Sequence, residues 1–323
     1  MKYIGTSSIG VKAPIIRPGD DLVKIVAKSV GHAIKNGKIK VKDRDIVAVT
    51  EAIVAKSQGN FATVDDIAKD VRRKMGEGTV GVIFPILSRN RFGNIMKGIA
   101  RGTDNLVIEL SYPFDEVGNP LVSIDKLYDL GVFNFNKTYT AKQFYKLVGD
   151  VKHPFTGVDY IEFYQKICGK KCKIILSNDP TAILKYTKKV ISADIHSRFR
   201  NKKILLGKGA EKVLTLNEIL NESVDGSGFN EDFGVLGSNL STPEKVKLFP
   251  RNTQEFVDKL QAKLLEDTGV HFECMVYGDG AFKDPVGGIW ELADPVVSPA
   301  YTSGLVGTPN ELKLKYLADN KIG

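Results

Sequence analysis

Residues Tyr277 to Trp290 crowd two carboxylates, one lysine, four glycines and the single tryptophan of the chain into one short stretch. Asp279 and Asp284 follow an apolar run, Phe272 to Val276, that reads as a strand. A glycine-permissive backbone at a strand end lets such oxygens converge on a divalent cation and on the phosphates attached to it. Lys283 stands between them as a candidate nucleotide contact. The competing reading is a sharp surface turn at Asp279-Gly280 with Trp290 as a core plug.

Three more segments carry groups of the same kind. In Lys56-Ser57-Gln58-Gly59 the lysine could neutralise a phosphoryl group, with Ser57 and Gly59 as hydroxyl and amide donors. Its spacing is not that of a Walker loop, and a lysine on a solvent face explains it equally simply. Ser88 to Met96 brings Arg89 and Arg91 together with Asn90 and Asn94, and the arginine fork suits phosphate or carboxylate. Gly102-Thr103-Asp104-Asn105 is a polar turn in which Asp104 either binds metal or makes an Asx turn into the next strand. Two or three of Asp104, Asp194, Asp279 and Asp284 meeting across a cleft would form an oxygen-ligand magnesium or manganese site, with Glu291 and Asp294 close by in sequence. Cys168 and Cys172 lie four apart, but His153 and His196 complete no metal spacing, so they read as buried or reactive thiols.

Those groups need a scaffold, and the apolar spacing supplies one. Asp20 can cap a helix whose apolar side is Leu22, Ile25, Val26, Val30 and Ile34. A strand follows at Asp45 to Thr50, and Thr63 caps a helix carrying Val64, Ile67, Ala68, Val71 and Met75. Strands are expected at Val80 to Phe84 and Leu106 to Leu110, then a turn-rich stretch from Tyr112 to Pro120. Thr140 with Gln143 has capping-box spacing, Val158 to Cys168 reads as a helix, and Lys173 to Leu176 as a strand. Asp225 to Gly234 is too glycine-rich for a helix interior and reads as a loop or lid. A long helix is expected from Thr253 to Asp267, and Thr308-Pro309-Asn310-Glu311 looks like a further helix start. The fold class is α+β, with mixed sheets and packed helices. Its expected organisation is an N-terminal α/β region (1–120), a central lobe or insertion (121–250) and a C-terminal part that completes the site (251–323).

The totals narrow the function classes. A chain of 323 residues with 42% hydrophobic and 26% charged residues is ordinary for a globular protein, and no apolar run approaches a bilayer span. The start lacks a sustained hydrophobic segment and the three cysteines make no disulfide framework, so a cytoplasmic location is expected. The formal charge of +8 is spread over clusters at 170–173, 185–189 and 198–203. Such a field draws anionic small molecules as readily as a phosphate backbone, and no nucleic-acid motif accompanies it, so nucleic acid ranks last.

The order Arg17-Pro18-Gly19-Asp20-Asp21-Leu22, then Asp43 to Thr50, then Ile53-Val54-Ala55-Lys56-Ser57-Gln58-Gly59 resembles the N-terminus of the coenzyme F420-0 gamma-glutamyl ligase family. Asn90-Arg91-Phe92-Gly93 and Gly98 to Asn105 continue the resemblance, which is good over roughly the first 110 residues and patchier beyond. Gln58 stands where the family usually has glutamate, and its aspartate-serine-phenylalanine-glycine-arginine motif is not intact; Ser192 to Arg198 and Gly278 to Lys283 are rival counterparts. The resemblance implies a dimeric enzyme that forms a gamma-glutamyl amide on a deazaflavin precursor, using GTP (or ATP) with magnesium or manganese. It implies Lys56 and Arg91 at phosphate or substrate carboxylate, and Asp104 with Asn105 at the metal and nucleotide. The alternative is a non-catalytic nucleotide- or metabolite-binding protein on the same scaffold.

Overall fold

Local signals fix most of the elements. The computed structural model describes residues 7–154, 156–278, 281–283, 290–292 and 297–306. Asp21, not Asp20, caps the first helix, α1 (Leu22–Gly37), by accepting the Lys24 amide at 3.1 Å, while Asp20 folds back onto the Arg17 amide. The chain continues through β1 (Ile46–Thr50), α2 (Glu51–Gln58), β2 (Phe61–Thr63), α3 (Val64–Met75), β3 (Thr79–Ile83), α4 (Gly93–Arg101) and β4 (Asn105–Leu110). The centre holds α5 (Ile124–Asp129), β5 (Tyr139–Thr140), α6 (Ala141–Val148), α7 (Tyr160–Cys168), β6 (Cys172–Leu176), β7 (Lys189–Ser192), α8 (Arg198–Gly207) and β8 (Lys212–Thr215), with a 3-10 turn at Ala182–Lys185. Last come β9 (Asn239–Thr242), β10 (Lys245–Lys247), α9 (Thr253–Thr268), β11 (Glu273–Gly278), β12 (Ala281–Lys283), β13 (Trp290–Leu292) and β14 (Val297–Tyr301). Reciprocal capping boxes at Thr63 with Asp66 and Thr140 with Gln143 close the starts of α3 and α6.

The chain groups into two units, and each is discontinuous in sequence. Unit 1 gathers the described parts of Met1–Ser57, Asn252–Gly278 and Val296–Gly323; unit 2 takes Gln58–Arg251 and Asp279–Pro295. The chain passes from unit 1 to unit 2 after Ser57 and returns to unit 1 at Asn252. Residues 121–250, expected as a separate lobe or insertion, supply β5, β6, β7 and β8 to the sheet that also contains β3 and β4.

In unit 1, β1 runs parallel to β11, and β11 antiparallel to β14. Alternation along these strands turns Val49, Cys274, Val276 and Ala300 into one core with Leu22, Val30, Phe256, Leu260 and Leu264 of α1 and α9.

Unit 2 is built on a six-stranded sheet of order β5-β6-β4-β3-β7-β8, parallel except for β5 at its edge. One face packs against Ile67 and Val71 of α3, Ile95 and Ile99 of α4, and Ile161 and Tyr164 of α7. The other packs against Ala182 and Ile183 of the 3-10 turn and Leu205 of α8. Helical structure on both faces is what a parallel sheet requires to leave no face bare. Glycine lets α4 lie close against α3: a Cβ at Gly102 would come within 2.5 Å of the Ala68 carbonyl oxygen, and one at Gly98 within 2.6 Å of Ile67. The stretch from Asp225 to Gly234 is irregular, as its composition suggests, but it is stitched down. Asn60 donates to the Phe229 and Phe249 carbonyls, and the Gly228 amide to the Phe61 carbonyl at 2.8 Å.

Candidate functional site

From β3 the chain steps to β4 and β6 on one side, then crosses back to β7 and β8 on the other. The reversal lies between β3 and β7. In parallel sheets of this kind, the loops leaving the C-terminal ends of the two strands diverge there and leave a crevice that commonly takes ligands. Two segments singled out from the sequence leave those ends.

After β3 come Phe84, held at a φ of 53°, and the turn Ser88-Arg89-Asn90-Arg91 that opens α4. The buried Ser88 hydroxyl accepts the Arg91 amide at 3.2 Å, and the Asn90 carbonyl accepts the Leu240 amide at 2.8 Å. Asn94, in the first turn of α4, donates to the Thr242 and Lys245 carbonyls, so it serves the small β2-β10-β9 sheet. Arg89, Asn90 and Arg91 therefore sit at the positive end of a helix, where backbone dipole and guanidinium charge reinforce each other for an anion.

After β7 comes Asp194, 1% exposed. Its carboxylate accepts the Ser192 hydroxyl at 2.6 Å and the Asn201 amide at 3.0 Å. Burial pushes its pKa up to about 6 against the opposing Ser192 hydrogen bond, and the nearby Glu116 charge adds to the rise. Arg198 begins α8. Its guanidinium donates to the Ile195 carbonyl and to Asn217 at 3.2 Å, and burial lowers its pKa while Asp194 and Glu116 work against that. Glu116 reaches over from the loop after β4 to accept the amides of Ile195, His196 (3.0 Å) and Ser197 (3.3 Å). Its neighbour Asp115 is buried and accepts the Leu87 amide at 2.8 Å, so it holds the loop after β3.

The register of the sheet sets Glu109 and Ser192 on either side of Ile83, on the face covered by the 3-10 turn and α8. Glu109 is fully buried and neither oxygen completes a hydrogen bond among the described residues, although the Ile183 amide gives slight electrostatic relief. Burial first, and the Asp179 charge second, raise its pKa well above the carboxylate range. The unfolded chain releases this proton above its ordinary pKa while the folded chain keeps it. Stability is thus greatest below that pKa and falls as pH climbs toward the folded value, by up to about 1.4 kcal/mol per pH unit for one proton. Glu109→Gln should remove that fall, so urea denaturation at pH 5, 6 and 7 should show the variant gaining on the wild type at each step. Parallel curves would contradict it.

Asp104 and Asn105 stand elsewhere. They open β4, at the N-terminal edge of the same sheet, and a strand of that length separates its ends by roughly 17 Å. Asp104 is exposed and accepts Arg72 at 2.5 Å and the Gly78 amide at 2.6 Å; Arg72 first, then Gly78, lowers its pKa to about 2. Asp104 and Asp194 are therefore not brought together. Lys56 and Ser57 lie in the last turn of α2 in unit 1, and the Ser57 hydroxyl is spent on the Val54 carbonyl at 2.8 Å. Gly59 turns the chain at a φ of 65° into β2. Lys283 lies in β12, which pairs with β13 bearing Trp290. Asp279, Asp284 and Asp294 lie outside the described residues, as does the helix start expected at Thr308.

Cys168 and Cys172 are both buried and neighbour one another; that contact first, and burial second, raise the Cys168 pKa. Of the lysine clusters, Lys171 donates to the Thr103 carbonyl and Lys189 to the Glu77 carbonyl, both at the N-terminal edge. Among the described residues no three His, Cys, Asp or Glu groups converge to hold a metal ion, and no helix is long and apolar enough to cross a membrane. Sequence reasoning missed Glu109, Asp115 and Glu116. The acidic pair lay within a stretch taken only as a turn, and the sole signal for Glu109 was a charge inside an otherwise apolar strand, Leu106 to Leu110.

A family model described as F420-0:Gamma-glutamyl ligase matches residues 10–320 of the chain. A curated relative, the coenzyme F420:L-glutamate ligase of Methanothermobacter thermautotrophicus, is 28% identical over 117 residues, covering 34% of this chain and 42% of the relative. The chain thus spans less than half the length of the curated relative it matches.

Proposed function

The chain belongs to the F420-0:gamma-glutamyl ligase family, and we propose that it is a nucleotide-dependent amide-forming ligase acting on a carboxylate-bearing metabolite, with gamma-glutamyl transfer to an F420-type precursor as the specific reaction. The substrate carboxylate attacks the terminal phosphorus of GTP or ATP, which releases the nucleoside diphosphate and leaves an acyl phosphate. The amine of glutamate then attacks the acyl carbon, inorganic phosphate departs, and the amine gives up its proton. Such chemistry is mostly positioning and charge neutralisation around a transferring phosphoryl group.

The observation that supports this reading is the placement of two loops at the strand-order reversal of unit 2, one with Arg89, Asn90 and Arg91 before a helix start, the other with Asp194 and Arg198. In it, Arg91 and Asn90 with the first amides of α4 take the phosphoryl oxygens. Magnesium or manganese would seek oxygen ligands. The described residues do not make a complete site for one: both Asp194 oxygens are engaged by Ser192 and Asn201, and no third group joins.

Calorimetry with GTP and with ATP, each with and without manganese, tests the reading together with phosphate release in the presence of glutamate. The expected result is micromolar to millimolar binding of one triphosphate and one phosphate released per amide formed. No binding under any of these conditions would refute it. The separation of Asp104 from Asp194 favours one second reading, a non-catalytic binding protein on this scaffold, which predicts nucleotide binding without phosphate release.

A further inference from the structure

Asp115 and Glu116 are adjacent in sequence yet hold different loops. They stand in a tight turn after β4 that is closed on itself: Asp115 accepts the Val117 and Asn119 amides at 3.1 and 2.7 Å, and Asn119 donates its side-chain amide back to it at 2.8 Å. Main-chain bonds from the Asp115 amide to the Asn119 carbonyl and from the Leu121 amide to the Pro113 carbonyl brace the same turn. From that base Asp115 grips the Leu87 amide, four residues before Arg91. Glu116 grips three successive amides, Ile195 to Ser197, directly between Asp194 and Arg198.

The first amides of a helix have no partners within it, and Ser197 gives α8 no side-chain cap. One carboxylate from another strand's loop accepts the Ser197 amide at that helix start and the two amides before it, Ile195 and His196. The Ile195 carbonyl in turn receives the Arg198 guanidinium, so the peptide that Glu116 fixes is also the anchor of that arginine. Released, the three amides would have to turn toward water, and the 193–197 turn would carry Asp194 and Arg198 with it.

We infer that Glu116 is a positioning residue of the reaction proposed above, on which this inference rests: it clamps the loop after β7, while Asp115 fixes the loop after β3, so the pair sets the spacing of the two loops across the crevice. Partners that orient site residues without touching substrate typically cost 10–100-fold when removed.

The test uses the full chain with Glu116→Ala, with Glu116→Gln as a second variant that keeps the side-chain volume. Hydrogen exchange is followed at the amides of 195–197 together with kcat and KM for the triphosphate, in acetate and in chloride of equal ionic strength. The expected result for Glu116→Ala is at least about tenfold faster exchange at 195–197 and a kcat lower by about 10–100-fold, with KM changed far less. Acetate should slow the exchange and recover part of the kcat by filling the vacated acceptor position. Glu116→Gln, with one acceptor oxygen and no charge, should fall between the two. Unchanged exchange, unchanged kcat, or a loss of kcat that acetate leaves untouched would overturn the inference. A wild type that protects 195–197 in a Glu116-dependent way yet forms no amide condemns the ligase reading and leaves the clamp standing.

Discussion

Arg91→Ala should lower kcat/KM for the triphosphate by about 10²–10³-fold, with a melting temperature close to that of the wild type. A fixed donor aimed at developing phosphoryl charge contributes on this scale, because it needs no reorganisation when the charge appears. Arg91 is half-buried at the start of α4, with its own amide tied to Ser88, so its stem leaves the backbone from a defined position. Arg91→Lys should recover little, since an ammonium has the charge but not the planar fork that spans two oxygens. Steady-state kinetics with purified variants check this. A rate for Arg91→Ala within about twofold of the wild type would exclude a transition-state role for the residue.

The largest effect on stability is expected at Asp70. Its carboxylate is fully buried and receives Arg73 at 2.5 Å, Lys74 at 2.8 Å and the Leu220 amide at 2.7 Å. Lys74 also donates to the Glu218 carbonyl and to Asn221, both at 2.7 Å, so one acid ties α3 to the segment after β8. Asp70→Ala leaves a mostly buried ammonium and a buried amide without their anion. Removing one partner of a buried pair costs about 3 kcal/mol or more. Urea denaturation should show that loss, with Asp70→Asn keeping part of the stability through its remaining carbonyl oxygen. A loss below about 1 kcal/mol for Asp70→Ala would mean that the pocket refills or that water replaces the carboxylate.

What could be read from the sequence was whatever neighbouring residues decide among themselves. Thr63 with Asp66 and Thr140 with Gln143 sit three apart, and both boxes form. The apolar spacings that announce α1, α3 and α9 are likewise local, and these helices start within two residues of expectation. The helix that carries Lys56 also has a local signal: Glu51 to Gln58 contains alanine, glutamate, lysine and glutamine, good helix formers, between a strand end and Gly59.

The site depended on longer range. Asp104 precedes its strand and Asp194 follows its own, so in a parallel sheet they must fall on opposite edges. That conclusion needs the direction and order of β3, β4 and β7, which no local pattern specifies. Glu116 meets partners 79 to 81 residues away, and a turn-rich composition around it gave no hint of them. Within 121–250, β5 and β7 have only two and four residues, and it is pairing with β6, β3 and β8 that makes them part of a sheet.

Hydrogen exchange of the full chain with and without saturating GTP tests most directly where the triphosphate sits. Protection is expected in 84–92 and in 193–198, the two loops at the C-terminal edge of the six-stranded sheet, with 102–105 unchanged. Protection confined to 76–78 and 102–105, around Asp104 at the opposite edge, or absent throughout unit 2, would contradict the account.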